Sequence, residues 1–302
     1  SSFTPGFFVL LGIPGPEKVP IWIGVPLFII CSVLLIYLII VECSLHAPMF
    51  FFLSMLASTD LTLCNTSAPK TFIIFRLGPW QVTFSGCFAQ MFFLHSSFAM
   101  DFAILLAMAF DGYTAVCFPP RHSIVVTHQT VTQIVVAVIS RGVCVIFPRV
   151  FLLKRLPFCR TIIVHHTYCE HIGIARLAGV DISINIWYGF AVPVMTVTSD
   201  LILIGLSCVL IPRAVFKLPS RDARQKALST CGFRVCVILT FYTPAMFSVL
   251  AHRFGHNVPL SFHTLFANLF VAVPPVVNPI TYGVKSKPVR DRTNLLFFPN
   301  GK

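Results

Sequence analysis

Hydrophobic residues fall along this chain in seven long runs, at about 21–41, 48–75, 86–117, 131–153, 183–212, 227–251 and 261–283, separated by short stretches where Pro, Gly and charge gather. Each run reaches the ~20 residues that a helix rising 1.5 Å per residue needs to cross the hydrocarbon core of a bilayer. A helix in lipid closes its own backbone hydrogen bonds, so the pattern predicts an all-α membrane protein with a single domain over 1–302, a seven-transmembrane helix bundle. The turn after the first run, ECSLHAP at 42–48, is tight, and Pro48 suits the first turn of the second helix, where its missing N–H costs nothing. After Tyr282 the segment VKSKPVRDRTNLLFF mixes cations with apolar residues. It predicts a short amphipathic C-terminal helix on the inner leaflet over about 285–298, a basic tail without fixed structure being the other reading. Residues 1–20 carry neither a basic start nor a short apolar core, so the first run is expected to act as its own insertion signal.

Composition removes the soluble alternatives. Of the 302 residues, 56% are hydrophobic and 11% charged, against roughly 25% charged in soluble domains. The net charge of +12 comes from short clusters between apolar runs, where positive-inside topology and anionic headgroups account for it, and nucleic acid is not an expected partner. Arg121, Arg213, Lys217, Arg221, Arg224, Lys226, Lys285, Lys287, Arg290, Arg292 and Lys302 fall on one side of the predicted bundle. Lys18, Lys70, Arg76, Lys154, Arg155, Arg160, Arg176 and Arg253 fall on the other. The first set is packed into short loops at helix ends, which places the N-terminus outside. The connection at about 154–182 is long and rich in Cys, His and charge, and should fold over the outer mouth. Of the 11 cysteines most lie in apolar runs, where a thiol behaves as a small hydrophobe. Cys87, Cys159 and Cys169 sit where an oxidising compartment reaches them.

No catalytic string is present: GxSxG, HExxH and a Walker-type glycine loop are all missing, so the chain reads as a non-enzyme. A secondary transporter is the rival membrane class, since Pro-broken helices such as PPVVNP at 274–279 also mark substrate sites there. The halves 1–150 and 151–302 show no internal likeness that would support it.

Six strings, SLHAPMFFFL at 44–53, MAFDGYTAVC at 108–117, KALSTCG at 226–232, FYTPA at 241–245, HRFG at 252–255 and PPVVNPITYG at 274–283, resemble class I (fish-like) odorant receptors of the rhodopsin-like G-protein-coupled family over nearly the whole chain. The resemblance implies a plasma-membrane receptor for small odorants, coupled to a heterotrimeric G protein of the stimulatory type. It also implies a disulfide between Cys87 and Cys169, and leaves Cys159 without a partner, because Gly179 occupies the position of its usual mate. His165, His166, Cys169 and His171 are spaced like soft-metal ligands, a reading weakened if Cys169 is used in the disulfide.

Ligand chemistry is expected around two positions that fatty-acid-binding relatives use. His95 lies eight residues below Cys87, about 12 Å along the third run, and Arg253 stands at the outer end of the sixth. A guanidinium clamps a carboxylate through paired hydrogen bonds, while Met91, Phe92, Phe98 and Phe247 would wall an alkyl tail. The plainer readings are that His95 is a satisfied interhelical donor and that Arg253 snorkels to the headgroups. Asp60 matches the family's sodium-site aspartate, and with Asn278 would form a polar spine that rearranges on activation. A plain hydrogen-bonded pair is the alternative. Asp101, six residues below His95, adds a deeper polar group, and Arg141 stands mid-run with no partner readable from sequence.

The departures concern signalling. The family's Asp-Arg-Tyr reads Asp111-Gly112-Tyr113, so the cation is gone; Tyr282 of the NPxxY-like string is kept. The first run lacks the Gly-Asn pair and is shortened around Cys31 to Glu42, Ser207-Cys208 replaces Ser-Tyr, and Phe233-Arg234 replaces Ser-His. A receptor that folds and binds but couples poorly is therefore the second reading.

Overall fold

The computed structural model describes residues 6–10, 21–42, 47–77, 80–158, 163–164 and 168–215, with the single positions 221, 225, 232, 239, 242, 243, 246, 247, 250, 278 and 291. Most of the sixth and seventh expected spans, the surface helix, Arg253, Tyr282, Cys159, His165 and His166 lie outside them.

Five helices of 21 to 34 residues make up the described bundle, with two short helices between them. The long ones are α1 (Ile21–Val41), α2 (Pro48–Leu77), α3 (Phe84–Cys117), α5 (His128–Lys154) and α7 (Ser183–Val215); the one-turn α4 (His122–Val125) precedes α5 and the five-residue α6 (His171–Ala175) precedes α7. Among the described residues three helices, Phe84–Cys117, His128–Lys154 and Ser183–Ala214, are long and apolar enough to cross a bilayer. The apolar stretch of α3 is 67% buried in protein, against 17% for α5 and 22% for α7, which makes α3 the hub and gives α5 and α7 outward apolar faces. α3 packs on α2, α5 and α7, and α1 on α2.

Local chemistry starts the helices where they start. Thr83 caps α3 by accepting from the Gly86 amide at 3.2 Å, and Thr127 caps α5 by accepting from Thr130 at 3.2 Å. Ahead of α7, Asp181 accepts from the Ser183 amide at 2.9 Å and its hydroxyl at 2.6 Å. The hydroxyl bond and then the amide bond hold the Asp181 carboxyl below its ordinary value. The close α3–α5 crossing depends on Gly142, where a Cβ would stand 2.6 Å from Met100 Cγ and 3.2 Å from the Ser96 carbonyl oxygen. Small residues at crossings let backbones approach in this way.

The helical expectation needs one addition. A three-stranded sheet, in the order β2-β1-β3, covers one end of the bundle: β1 (Phe7–Leu10) pairs antiparallel with β2 (Trp80–Thr83) and parallel with β3 (Ile163–Val164). Four-residue strands are too short to show alternation in the sequence. Phe8 and Leu10 point inward and are fully buried; Phe8 lies 5.7 Å from the Phe84 ring and 5.8 Å from Phe158. The Cys87–Cys169 disulfide, with a Cα–Cα distance of 5.5 Å, ties this cap to the start of α3. Below it Met91, Leu153 and Ile174 complete the core of the sheet end.

Candidate functional site

Beneath the sheet, α3, α5, α7 and the segment around α6 enclose a cavity of about 260 Å³. Helical spacing gives each helix one stripe on it: Leu94, His95, Phe98, Ala99 and Phe102 from α3, Arg141, Val145, Ile146 and Arg149 from α5, and Ile186, Gly189, Phe190, Pro193 and Val197 among those of α7. Tyr168, Glu170, Ile172 and Arg176 roof it. The walls are mainly apolar, with a few convergent polar groups, the usual make-up of a small-molecule site.

His95 Nδ1 is 2.9 Å from the Met91 carbonyl oxygen. A carbonyl only accepts, so Nδ1 carries the proton, and in the neutral ring Nε2 is an acceptor. Arg141 meets Asp200 of α7 through two parallel contacts, Nη1–Oδ1 at 2.8 Å and Nη2–Oδ2 at 2.5 Å, with Asp200 buried. Arg149 is within electrostatic reach of Glu170 and of His95, and Tyr188 donates to the Val145 carbonyl at 3.3 Å between α5 and α7. The guanidiniums of Arg141, Arg149 and Arg176 line the cavity; Arg141 is paired with Asp200, and the buried Nε of Arg149 has no hydrogen-bond partner among the described residues.

Burial favours the neutral forms of two ionisable groups near the roof, His171 and Tyr168. His171 packs against Gly189, whose Cβ would stand 3.2 Å from the ring Nδ1; Asn185 stands beside the ring without a well-aligned hydrogen bond. Burial, then the nearby Arg149 and His95, push His171 well below the ordinary histidine value, Glu170 acting the other way. Burial and then Glu170 push the Tyr168 hydroxyl up. Because the unfolded His171 binds a proton near its ordinary value and the folded one resists it, the stability of the roof is whole above about pH 6.5 and is lost as pH falls below it. The melting temperature of detergent-solubilised protein is expected to drop from pH 7 to pH 5, and His171→Phe to flatten that drop; an unchanged slope would assign the loss to other groups.

The sequence-expected residues separate into groups. His95 and Phe98 line the cavity. Met91 stands higher, in the core under the sheet; Phe92 contacts Phe93, whose ring is exposed; Phe247 is not among the described lining residues, although its neighbour Met246 is. Asp101 faces α2 and accepts from the Thr59 hydroxyl, in electrostatic contact with Asp60, which in turn accepts from Asn278 Nδ2 at 2.8 Å. At the other end of α3 Asp111 lies 3.0 Å from His122 Nε2, and Tyr113 packs edge-on to Phe118 and beside Ile211. Arg149, Glu170, Arg176 and the partner of Arg141 escaped the sequence reading. The available signal was two arginines eight residues apart within one apolar run and an aspartate inside another, each of which demands a reason in a membrane.

An apolar helical bundle with a ligand-sized cavity under a disulfide-tied cover defines a membrane protein built to hold a small molecule. A model of the olfactory receptor family matches residues 25–299. The chain is 58% identical to human olfactory receptor 52H1 over 303 residues, covering 98% of this chain and 96% of that protein. It is 54% identical to human olfactory receptor 52B2 over 302 residues (98% and 94%) and 47% identical to human olfactory receptor 52D1 over 298 (96% and 94%). The chain belongs to the olfactory receptor family, among the rhodopsin-like G-protein-coupled receptors, and is not an enzyme.

Proposed function

We propose that this is a seven-span odorant receptor of the plasma membrane, with its N-terminus and sheet outside, that binds small carboxylic acids of the fatty-acid type in the α3–α5–α7 cavity and couples to a stimulatory G protein. The carrying observation is Arg149, a cation in an apolar run that lines the cavity among apolar walls and whose buried Nε has no hydrogen-bond partner among the described residues. An amphipathic anion with an alkyl tail satisfies both, the carboxylate on the Arg149 fork and the tail toward Phe98 and Phe102. Arg253 keeps its ligand role on the resemblance alone, as do Met91, Phe92 and Phe247. The outward orientation draws support from the Cys87–Cys169 bond, since disulfides persist in oxidising compartments. Asp60, Asp101 and Asn278 take the part of the polar switch. Asp60 Oδ1 and Asp101 Oδ2 are buried without a hydrogen-bond partner among the described residues, a donor set that fits a hard cation such as sodium.

The test is a binding titration of straight-chain acids on the purified receptor. Arg149→Gln is expected to weaken acid binding about 100-fold, the size of one lost charge-assisted pair in a desolvated site. Undiminished affinity in that variant would sink the assignment.

A second reading, a receptor that binds without signalling, is favoured by Gly112 and by Asp111 engaging His122 in place of the family's arginine. In cells with verified surface display, Gly112→Arg is expected to convert a flat cAMP response to acids into a measurable one. A robust response from the parent chain would dismiss the silent reading.

A further inference from the structure

We infer that the cavity selects a hydroxy-substituted carboxylic acid, its carboxylate on Arg149 and its hydroxyl, on the second or third carbon, donating to His95 Nε2. The inference rests on the acid reading above and narrows it.

His95 carries the argument. Its Nδ1 proton is committed to the Met91 carbonyl at 2.9 Å, among the described residues no hydrogen bond reaches Nε2, and the ring lines the cavity. A neutral imidazole held this way presents a lone pair, which repels a carboxylate oxygen and welcomes an O–H. A plain fatty acid thus satisfies Arg149 but leaves the acceptor beside it unmet, and a buried polar atom without a partner is costly.

The two groups stand at a spacing that one small ligand head can bridge. Gly142 of α5 abuts Ser96 and Met100 of α3, which fixes the level of the antiparallel pair. Counting 1.5 Å per residue from there puts Arg149 about 6 Å nearer the sheet than His95, within the reach of an arginine side chain. Arg149 and His95 are already in electrostatic contact. The alkyl remainder then runs toward Phe98 and Phe102, where the walls are apolar, and the Arg141–Asp200 pair, neutral as a unit, ends the cavity on that side.

Full-length receptor in detergent would be titrated with octanoic acid and with 3-hydroxyoctanoic acid, read by ligand-induced thermal stabilisation, which needs no G protein. The hydroxy acid is expected to bind about tenfold more tightly, the yield of one well-made buried hydrogen bond. His95→Phe should erase that preference, with the melting temperature of the ligand-free variant as the folding control. The comparison on the parent protein decides even where the variant does not fold. Equal binding of the two acids, or a preference that survives His95→Phe, overturns this inference and leaves the acid reading standing. Failure of both acids to stabilise the parent overturns the acid reading together with it.

Discussion

Asp200→Ala is expected to abolish most of the folded, monodisperse receptor recovered from membranes, and the paired exchange Arg141→Leu with Asp200→Leu to bring it back. The two side chains meet through a two-pronged contact between α5 and α7, with the carboxylate buried. Removing the acid leaves a guanidinium facing an apolar cavity wall, a loss of about 3 kcal/mol, the size assigned both to broken buried pairs and to lone charges at helix centres. Removing both charges lifts the desolvation penalty as well, so the double change is expected to come within about 1 kcal/mol of the parent or above it. Size-exclusion yield and melting temperature of the four combinations complete the cycle. A double variant no better than the single one would show that the pair is not the unit that matters.

The second large effect concerns the cap. Cys87→Ser or Cys169→Ser opens a bond between residues 82 apart in sequence, and with it the tie between α3 and the long segment carrying Tyr168, Glu170 and α6. Chain-entropy reasoning puts the stability at stake at up to about 4 kcal/mol. Surface display is expected to fall sharply in either variant and equally in the double serine variant, since the two thiols act as one. Near-normal display of the single variants, measured by antibody binding on intact cells, would contradict the role given to the bond.

Physical reasons divide what the sequence disclosed from what it hid. The helices were readable because each apolar run is long, and lipid leaves a long apolar segment no other way to close its hydrogen bonds. Short β1 and β3 were not, because their pairing joins residues more than 150 positions apart. Within α3, helical phase separates the expected site residues. At about 100° per residue Phe98 stays within about 60° of His95, whereas Asp101 turns about 120° away, and it faces α2 and Thr59. Met91 keeps the face of His95 but sits a turn higher, in the core under the sheet. The partner of Arg141 required the register between two helices 59 residues apart, which no single run encodes. Arg149 was legible as an anomaly, a cation in an apolar run, and its purpose came only with the cavity.

The sheet also settles an arithmetic of crossings. β1 precedes α1, β2 follows α2, and β3 follows α5, yet all three share hydrogen bonds at one end of the bundle. On the seven-span reading proposed above, the chain crosses the bilayer an even number of times between those strands: α1 with α2, then α3 with α5. A frame with one of these helices skipped or inverted strands β1 across the membrane from its neighbours, so the ladder rewards only the correct threading. It also delays completion of the sheet, because β1, once paired with β2, gains β3 only from residues more than 150 positions later in the chain.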